Sequence, residues 1–362
     1  MKATQQLHDL GQSLWLDHIS RALLTSGTLN RYIKEFSVTG LTSNPTLYDQ
    51  AITQGDDYDE AIAWKSAEGK SGEELFFELA LEDLIQAADL FRPIHRATDG
   101  KDGWVSLEVS PLLANDAAGT IKAAAQLHAR AQRPNLFIKI PGTPSGIAAV
   151  EESIVAGVPV NVTLLFSREH YVAAAEAYMS GLERRLAAGL APDVASVASI
   201  FVSRWDAAVT DKVQDEYRNR LGIAIAMRTY KAYRDLLASP RWQKLAAAGA
   251  RPQRLLWAST GTKDPAIPDT LYIQALAAPD TINTLPERTL LAFADHGTVT
   301  DVLPPDEGYA EAVIAEFIRE GINDEALAAD LQRQGSEAFA RSWRDLMSSL
   351  GTKTGESRSA DE

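Results

Sequence analysis

Two observations predict that this chain is an α/β protein, a closed (β/α)8 TIM barrel. Eight short strand-like runs recur along its 362 residues, and helical patterns separate nearly all of them. Strands that alternate with helices form a parallel sheet, and eight such units close into a barrel of typically ~250 residues. No linker rich in proline, glycine or serine interrupts the chain, so residues 1–350 are predicted to form a single domain.

The strand-like runs are short and lie between Ala-rich helical stretches. In chain order they are SLWLD (13–17), SVTGLTSN (37–44), GWVSLEVS (103–110), NLFIKI (135–140), VPVNVTLLF (158–166), VASVASIFVS (194–203), RLLWAST (254–260) and DTINTL (280–285). Helix-start patterns support the alternation. Residues 71–74 resemble a capping box for a helix through Leu90, and Ser167 and Asn115 are candidate caps of two further helices.

The chain is longer than a minimal barrel, and the surplus is predicted to be mostly helical. One helix precedes the first run, and a helical insertion covers about 206–249 between the sixth and seventh runs. Extra C-terminal helices extend to about Leu350. The polar residues 351–362 are predicted to form a disordered tail.

Composition excludes several classes of function. The net charge of −14 and pI of about 5.0 argue against a broad nucleic-acid surface or an anionic membrane partner. Cysteine is absent, which excludes disulfides, thiolate catalysis and cysteine-type zinc sites, and the six histidines are too scattered for a metal site. Neither a signal peptide nor an apolar stretch approaching ~20 residues is visible, so a cytoplasmic protein is expected.

Polar side chains recur on the strand faces that a barrel turns inward. Side chains alternate along a strand, and the outer face packs against helices, so the polar set must point inside. These inward candidates are Asp17, Thr42, Asn44, Ser106, Glu108, Ser110, Lys139, Asn161, Thr163, Ser199 and Ser259. Any one of them could be a satisfied structural group. Because several lie toward the C-terminal ends of their strands, where barrel enzymes place their sites, they indicate an active site.

Lys139 interrupts the apolar run 135–142, and two interpretations compete. Its ammonium could snorkel to water, or it could be a reactive lysine held among the polar groups. A partly desolvated neutral lysine attacks carbonyls, and the resulting Schiff base is an electron sink for making or breaking C–C bonds. Glu108, on the neighbouring strand, is placed for the proton transfers that this chemistry needs, and Asp17 is the candidate base across the barrel.

Two further groups of residues suit a phosphorylated sugar. Asn44 and Asn161 can both donate and accept hydrogen bonds, as sugar hydroxyls require. A list of candidate phosphate ligands comprises Ser199, Arg204, Ser259 and Lys263. Barrels often bind phosphate after strands 7 and 8, whereas these candidates follow strands 6 and 7, so that rule supports them only in part. The alternative for Arg204 is an ion pair with Asp206 or another acid.

Five segments resemble the transaldolase family in order and spacing, namely TGLTSNPTL, SLEVSP, LFIKIPGTPSGI, VNVTLLFS and ASIFVSRW. The resemblance runs from about residue 11 to about 345. It implies a Schiff base on Lys139, a proton relay through water by Glu108 and Thr163, and acid/base work by Asp17. It also implies that Asn44 and Asn161 hold donor hydroxyls and that Ser199, Arg204 and Ser259 bind phosphate.

The same resemblance implies a reaction that needs no cofactor. Transaldolases move a dihydroxyacetone unit from fructose 6-phosphate or sedoheptulose 7-phosphate to erythrose 4-phosphate or glyceraldehyde 3-phosphate, in the non-oxidative pentose phosphate pathway. The chain length resembles a longer bacterial subgroup. Better-known members carry a second arginine two residues after the seventh-strand serine; here that position is Gly261, and Lys263 is the candidate replacement.

Two alternatives to a transaldolase remain open from the residues. A Schiff-base sugar-phosphate aldolase would use the same lysine and release free dihydroxyacetone. A barrel that only binds sugar phosphates would need no chemistry, and the intact set of Lys139, Glu108, Asp17 and Thr163 argues against it. The expected partners are small sugar phosphates, and the expected assembly is a homodimer or a monomer.

Overall fold

Eight parallel strands close into a barrel in sequential order, so the predicted fold class is confirmed. The computed structural model describes residues 1–262, 264, 266–304 and 308–355. The strands are β1 Ser13–Asp17, β2 Val38–Thr42, β3 Trp104–Glu108, β4 Leu136–Pro141, β5 Val160–Leu165, β6 Ser196–Phe201, β7 Arg254–Ala258 and β8 Ile282–Leu285. Each strand falls on its predicted run, and β4 alone extends one residue beyond it.

Helices follow the strands and surround the barrel. They are α1 Ala3–Leu10, α2 Arg21–Thr25, α3 Thr28–Phe36, α4 Pro45–Gln54, α5 Asp59–Ala67, α6 Gly72–Ala97, α7 Ala117–Ala131, α8 Pro144–Val155, α9 Arg168–Ala187, α10 Ser203–Val209, α11 Leu221–Ala238, α12 Pro240–Ala247, α13 Leu271–Ala275, α14 Glu287–His296, α15 Gly308–Arg319 and α16 Asp324–Thr354. The predicted N-terminal helix is α1, the insertion between β6 and β7 contains α10 to α12, and the extra C-terminal helices are α15 and α16.

The helix caps agree with the sequence at one position and differ at two. Ser167 caps α9, with its hydroxyl accepting from the His170 amide at 3.2 Å. The cap of α7 is Asp116 rather than the predicted Asn115, because residue 119 is a glycine. A Cβ at Gly119 would lie only 2.4 Å from Asp116 Oδ2, so the missing side chain leaves room for that carboxylate.

The capping box predicted at 71–74 does not form, although α6 does begin after Ser71. The Ser71 side chain makes no cap hydrogen bond, and Glu74 pairs with Lys70 instead. The helix also continues past its predicted end at Leu90 to Ala97, because Phe91 is fully buried and the turn that follows tolerates Pro93.

Helix α16 runs through Thr354, four residues into the segment predicted as a disordered tail. Its end is set by Gly355 in the left-handed conformation at φ 82°, whose amide caps carbonyls of the last turn. Leu350 is fully buried and fixes the last turns against the protein. The remaining tail residues, 356–362, lie outside the described part of the chain.

The barrel interior divides into an aromatic floor and a polar mouth. Near the strand N-termini the Trp104 and Phe137 rings stack with centroids 4.1 Å apart, and Trp15 lies 6.2 Å from Phe137. Toward the C-terminal ends, Lys139 is paired in register with Glu108 on β3 and with Asn161 on β5. The polar residues therefore meet at the mouth because parallel strands end on the same side of the barrel.

Candidate active site

A cavity of about 370 Å³ opens at the C-terminal mouth of the barrel. Its wall includes most of the predicted site residues, namely Asp17, Asn44, Lys139, Thr163, Ser199, Arg204 and Ser259. Glu108 and Asn161 lie behind this wall, within reach of residues that line it. Lys263 lies outside the described residues, so its placement stays a prediction.

Lys139 points into the barrel and is only 5% exposed, which argues against the snorkelling interpretation. Its Nζ donates to the Ser43 carbonyl at 3.3 Å and lies 3.3 Å from Glu108 Oε2. The Phe339 ring, from α16, covers it with the ring centroid 5.8 Å from Nζ. The amine is thus shielded from bulk water while it borders the cavity.

Glu108 is a buried carboxyl whose proton affinity is raised. Burial raises its pKa above the ordinary value, and the Lys139 ammonium opposes that shift without reversing it. The contact with Lys139 is an ion pair rather than a well-aligned hydrogen bond, and Oε2 has no other partner among the described residues. The raised pKa means that this carboxyl holds a proton more readily than an ordinary glutamate, which suits a group that exchanges protons.

Thr163 supplies a second unsatisfied group at the wall of the cavity that Lys139 also lines. Its hydroxyl is fully buried and has no hydrogen-bond partner in the described part of the chain. Strand β5 is irregular here, since its register with β6 shifts between Val162 and Leu165 and Leu164 takes a left-handed φ of 58°. This bulge ends the regular alternation of β5 immediately after Thr163.

Asp17 is oriented by a chain of hydroxyls across the mouth. Thr42 donates to Asp17 Oδ1 at 2.8 Å, and the Thr42 and Thr284 hydroxyls are also 2.8 Å apart. A hydroxyl has one proton, so Thr284 must donate to Thr42 in this arrangement. Asp17 also lines the cavity, and no hydrogen bond to its Oδ2 is found among the described residues. Thr284, near the end of the eighth run, is a site residue that the sequence analysis did not identify.

The two candidate asparagines are already partly engaged. Asn44 Oδ1 accepts from the Leu47 amide at 3.0 Å and caps α4, so its amide group remains to donate. Asn161 is fully buried, donates to Ser106 Oγ at 3.1 Å and accepts from Ser199 Oγ at 2.7 Å. Because both Oδ1 atoms already accept a hydrogen bond, the asparagines can offer a ligand N–H donors more readily than acceptors.

Arg204 is a half-buried cation without a carboxylate partner among the described residues. Its guanidinium carbon lies 5.0 Å from the Phe201 ring centroid and 5.8 Å from that of Phe339. The alternative of an ion pair with Asp206 fails, because that carboxylate accepts from Tyr272 Oη at 2.8 Å and from a backbone amide of α11. Burial lowers the pKa of Arg204, but from a value so high that the cation persists.

Ser259 follows β7 at the same end of the cavity. Its backbone takes a left-handed φ of 54°, a conformation unusual for a residue with a side chain. Its hydroxyl lies 2.8 Å from that of Ser203, at the start of α10. The loops after β6 and β7 are thus tied together where Arg204 emerges.

Helix α16 provides site residues that no local sequence pattern revealed. Phe339 lines the cavity, and Gln332 Nε2 donates to the carbonyls of Gly142 and Leu164 at 2.9 Å each. Outside α16, Arg288 in the first turn of α14 also lines the cavity. Gln332 and Phe339 lie far along the chain from the strands they contact, so only long-range packing brings them to the mouth.

The described ranges contain neither a metal-binding cluster nor a helix suited to span a membrane. No cluster of three or more histidine, aspartate or glutamate side chains could hold a metal ion there. None of the helices in those ranges is both long and apolar enough to cross a membrane.

Comparison with known proteins connects this geometry to a family. The family model described as transaldolase/fructose-6-phosphate aldolase matches residues 14–350. A curated transaldolase of Arthrobacter sp. is 45% identical over 355 residues, which cover 95% of each chain. One of Parafrankia sp. is 42% identical over 99% of this chain and 100% of its own, and one of Thermobifida fusca is 44% identical over 95% and 96%.

These matches extend over nearly the whole barrel, and they agree with the motifs from which the resemblance was inferred. The chain belongs to the transaldolase/fructose-6-phosphate aldolase family, and the predicted enzyme class, transaldolase, is confirmed.

Proposed function

We propose that this chain transfers a dihydroxyacetone unit between sugar phosphates through a Schiff base on Lys139. The observation that carries the proposal is the setting of this lysine. Its Nζ is buried 3.3 Å from Glu108 and borders a cavity whose wall also holds Asp17 and Arg204. The mouth of the barrel thus brings together a nucleophilic amine, a proton carrier, a second base and a cation that can bind an anion.

The first step joins the substrate to the lysine. The neutral amine attacks the ketone carbon of fructose 6-phosphate or sedoheptulose 7-phosphate, and the carbinolamine then loses water to give the Schiff base. Glu108 supplies and takes back the protons for this dehydration. The unpartnered hydroxyl of Thr163 supports its assignment to the relay, since it can hold the water through which the protons pass.

The second step breaks a carbon–carbon bond. Asp17 removes the proton of the hydroxyl next to that bond, and the bond's electron pair moves into the Schiff base to form an enamine while an aldose phosphate leaves. The enamine carbon next attacks the aldehyde of erythrose 4-phosphate or glyceraldehyde 3-phosphate. Hydrolysis then releases the new ketose phosphate and restores Lys139.

The remaining predicted residues position the substrate. Asn44 and Asn161 donate hydrogen bonds to hydroxyl groups of the donor sugar. The phosphate group is bound by Ser199, Arg204, Ser259 and Lys263. The absence of a carboxylate partner for Arg204 among the described residues supports its part, because a planar guanidinium can hold phosphate through two charge-assisted hydrogen bonds.

A trapping experiment tests the proposal. The protein is incubated with fructose 6-phosphate and borohydride, and the intact mass is measured. We expect a three-carbon adduct that is absent from Lys139→Met. An adduct on another lysine in that variant would reject the assignment, and an unmodified wild-type protein would favour a barrel that only binds sugar phosphates. Product analysis with and without erythrose 4-phosphate separates a transferase from an aldolase.

The remaining expectations from the sequence complete the proposal. We propose a single catalytic domain over residues 1–350, a cytoplasmic location and no requirement for a cofactor. The proposed assembly is a monomer or a homodimer. Size measurement in solution distinguishes them.

A further inference from the structure

We propose that Arg288 is a further cation for the substrate phosphate and shares that group with Arg204. The inference rests on the proposed function, because it names a further residue of the same site. Arg288 lies in the first turn of α14, directly after β8, and lines the same cavity as Arg204, Ser259 and Lys139. Nothing in the sequence pattern pointed to this residue.

The connection from β8 to α14 carries Arg288 to the cavity by packing on a glycine. A Cβ at Gly261 would lie 2.9 Å from Pro286 Cγ, closer than real contacts of this kind. Because Gly261 has no side chain, Pro286 can rest against the loop that follows β7. Arg288, two residues further on, then reaches that loop and donates through Nη2 to the Thr262 carbonyl.

That hydrogen bond fixes one part of the guanidinium and leaves the others available. A guanidinium has five N–H donors, and no other hydrogen bond or ion pair of Arg288 is found among the described residues. The backbone anchor limits the freedom of a long side chain, which reduces the entropy lost when it binds a ligand. Arg288 is therefore a preorganised donor at the cavity wall.

The charges around the cavity favour a ligand with more than one negative charge. Arg204 and Arg288 both line it without a described carboxylate partner, although the chain as a whole carries a net charge of −14. A cation in the first turn also opposes the dipole of its own helix, so helix stability does not account for Arg288. Two forked cations beside serine hydroxyls fit a phosphate dianion.

The position also agrees with how barrels bind phosphate. That group commonly sits at the loops after strands 7 and 8. The sequence candidates followed β6 and β7, whereas Arg288 adds the connection after β8. The phosphate would then lie between three consecutive loops, with Arg204 and Arg288 on its two sides.

The test combines phosphate binding with kinetics on Arg288→Ala. Losing a charge-assisted hydrogen bond corresponds to roughly a tenfold or larger change in affinity. We expect the dissociation constant for inorganic phosphate and the KM for fructose 6-phosphate each to rise about tenfold or more. The KM for unphosphorylated dihydroxyacetone as donor should not change. Arg288→Lys keeps the positive charge, so both constants should rise less in this variant than in Arg288→Ala.

Arg319→Ala is the matched control, because Arg319 is exposed and also donates to a backbone carbonyl, at 3.3 Å, but lies on α15 outside the cavity wall. Unchanged phosphate binding in Arg288→Ala, or equal losses with and without phosphate on the donor, would overturn the inference. If the wild-type protein forms no borohydride adduct, the proposed function fails. The binding of inorganic phosphate then still decides the role of Arg288.

Discussion

At the scale of single residues, the mouth of the barrel leaves hydrogen-bonding capacity unused. The Thr163 hydroxyl and Glu108 Oε2 are buried without a hydrogen-bond partner among the described residues. Buried polar groups are usually satisfied, and an unsatisfied one costs about 1–3 kcal/mol. Glu108 contacts Lys139, and Thr163 lines the same cavity as Lys139, so this cost falls where a substrate and a water would provide the missing partners.

Glu108→Gln should slow both formation and hydrolysis of the Schiff base without abolishing sugar binding. Glutamine keeps the shape of the side chain but cannot exchange a proton, and general acid/base groups contribute about 10²–10⁴-fold. Timed borohydride quenching measures the rate of adduct formation. Asp102→Asn is a control, because that buried carboxylate accepts from Trp15 at the floor, away from the cavity. If Glu108→Gln forms the adduct at the wild-type rate, Glu108 has no part in the proton relay.

Asp206 should make the folded protein less stable as pH rises through the weakly acidic range. Burial raises its pKa from 3.8 to about 6, even though Tyr272 and two backbone amides favour the charged form. The folded state therefore binds this proton more tightly than the unfolded state. The contribution of Asp206 to stability falls between about pH 4 and pH 6, by about 3 kcal/mol for a shift of this size, and that contribution is level outside this window.

Urea unfolding of the wild type and Asp206→Asn across that window measures the effect. As pH rises from about 4 to about 6, the free energy of unfolding of the wild type should fall relative to that of the variant, because asparagine does not titrate. Parallel curves would mean that Asp206 keeps an ordinary pKa in the folded protein.

At the scale of elements, α16 closes the mouth with one face. Gln332, Gly335, Phe339 and Trp343 are spaced by three or four residues, so they share a side of the helix. Gln332 holds the ends of β4 and β5, Phe339 covers Lys139, and Trp343 donates to Glu73 at 2.8 Å. At Gly335 a Cβ would lie 3.1 Å from Arg204 Nη1, so this glycine lets the helix approach the cation closely.

Gln332→Ala should lower stability and slow transfer while phosphate binding is retained. The change removes the donor to two buried carbonyls, which predicts a loss of about 1–3 kcal/mol, and it frees the bulge that follows Thr163. Thermal unfolding, kcat and phosphate affinity are measured together. Gln334→Ala is the control, since that exposed side chain bonds only to Asp330 among the described residues. Equal effects in both variants would contradict a positioning role.

At the scale of the whole molecule, stability and chemistry occupy different parts of the barrel. The outward faces of the strands are apolar and fully buried against the helices, as at Val105, Ile138 and Val162. The ionisable groups of the cavity are confined to the C-terminal mouth. Changes at the mouth should therefore alter activity more than folding.

Lys139→Met should fold, lose the adduct and be destabilised in a pH-dependent way. Removing one partner of a buried ion pair leaves the other charge unpaired. Because the pKa of Glu108 is already raised by burial, that carboxyl is protonated at low pH and the penalty then disappears. The loss of thermal stability should grow as the pH rises from acidic to alkaline values, and combining Lys139→Met with Glu108→Gln should remove this pH dependence. A double variant with the same pH dependence as the single variant would contradict this account.

Local patterns predicted what depends on neighbouring residues. The alternation of polar and apolar side chains located Lys139, Glu108 and Asp17 because it has the same period as a strand. Predictions at chain turns were less accurate. The cap of α7 shifted to Asp116 because of the space left at Gly119, which the spacing of candidate caps does not report.

By itself the sequence determined the eight-stranded barrel, the inward polar faces and the motifs of the family. The strands and their inward faces follow from the periodicity of short runs, and the motifs are a resemblance carried by segments of a few residues each. Only the tertiary structure decided that Arg288, Phe339 and Gln332 belong to the mouth. It also decided that Arg204 is not paired with Asp206. The physical reason is that these placements depend on contacts between segments distant along the chain, where close packing rather than local pattern selects the partner.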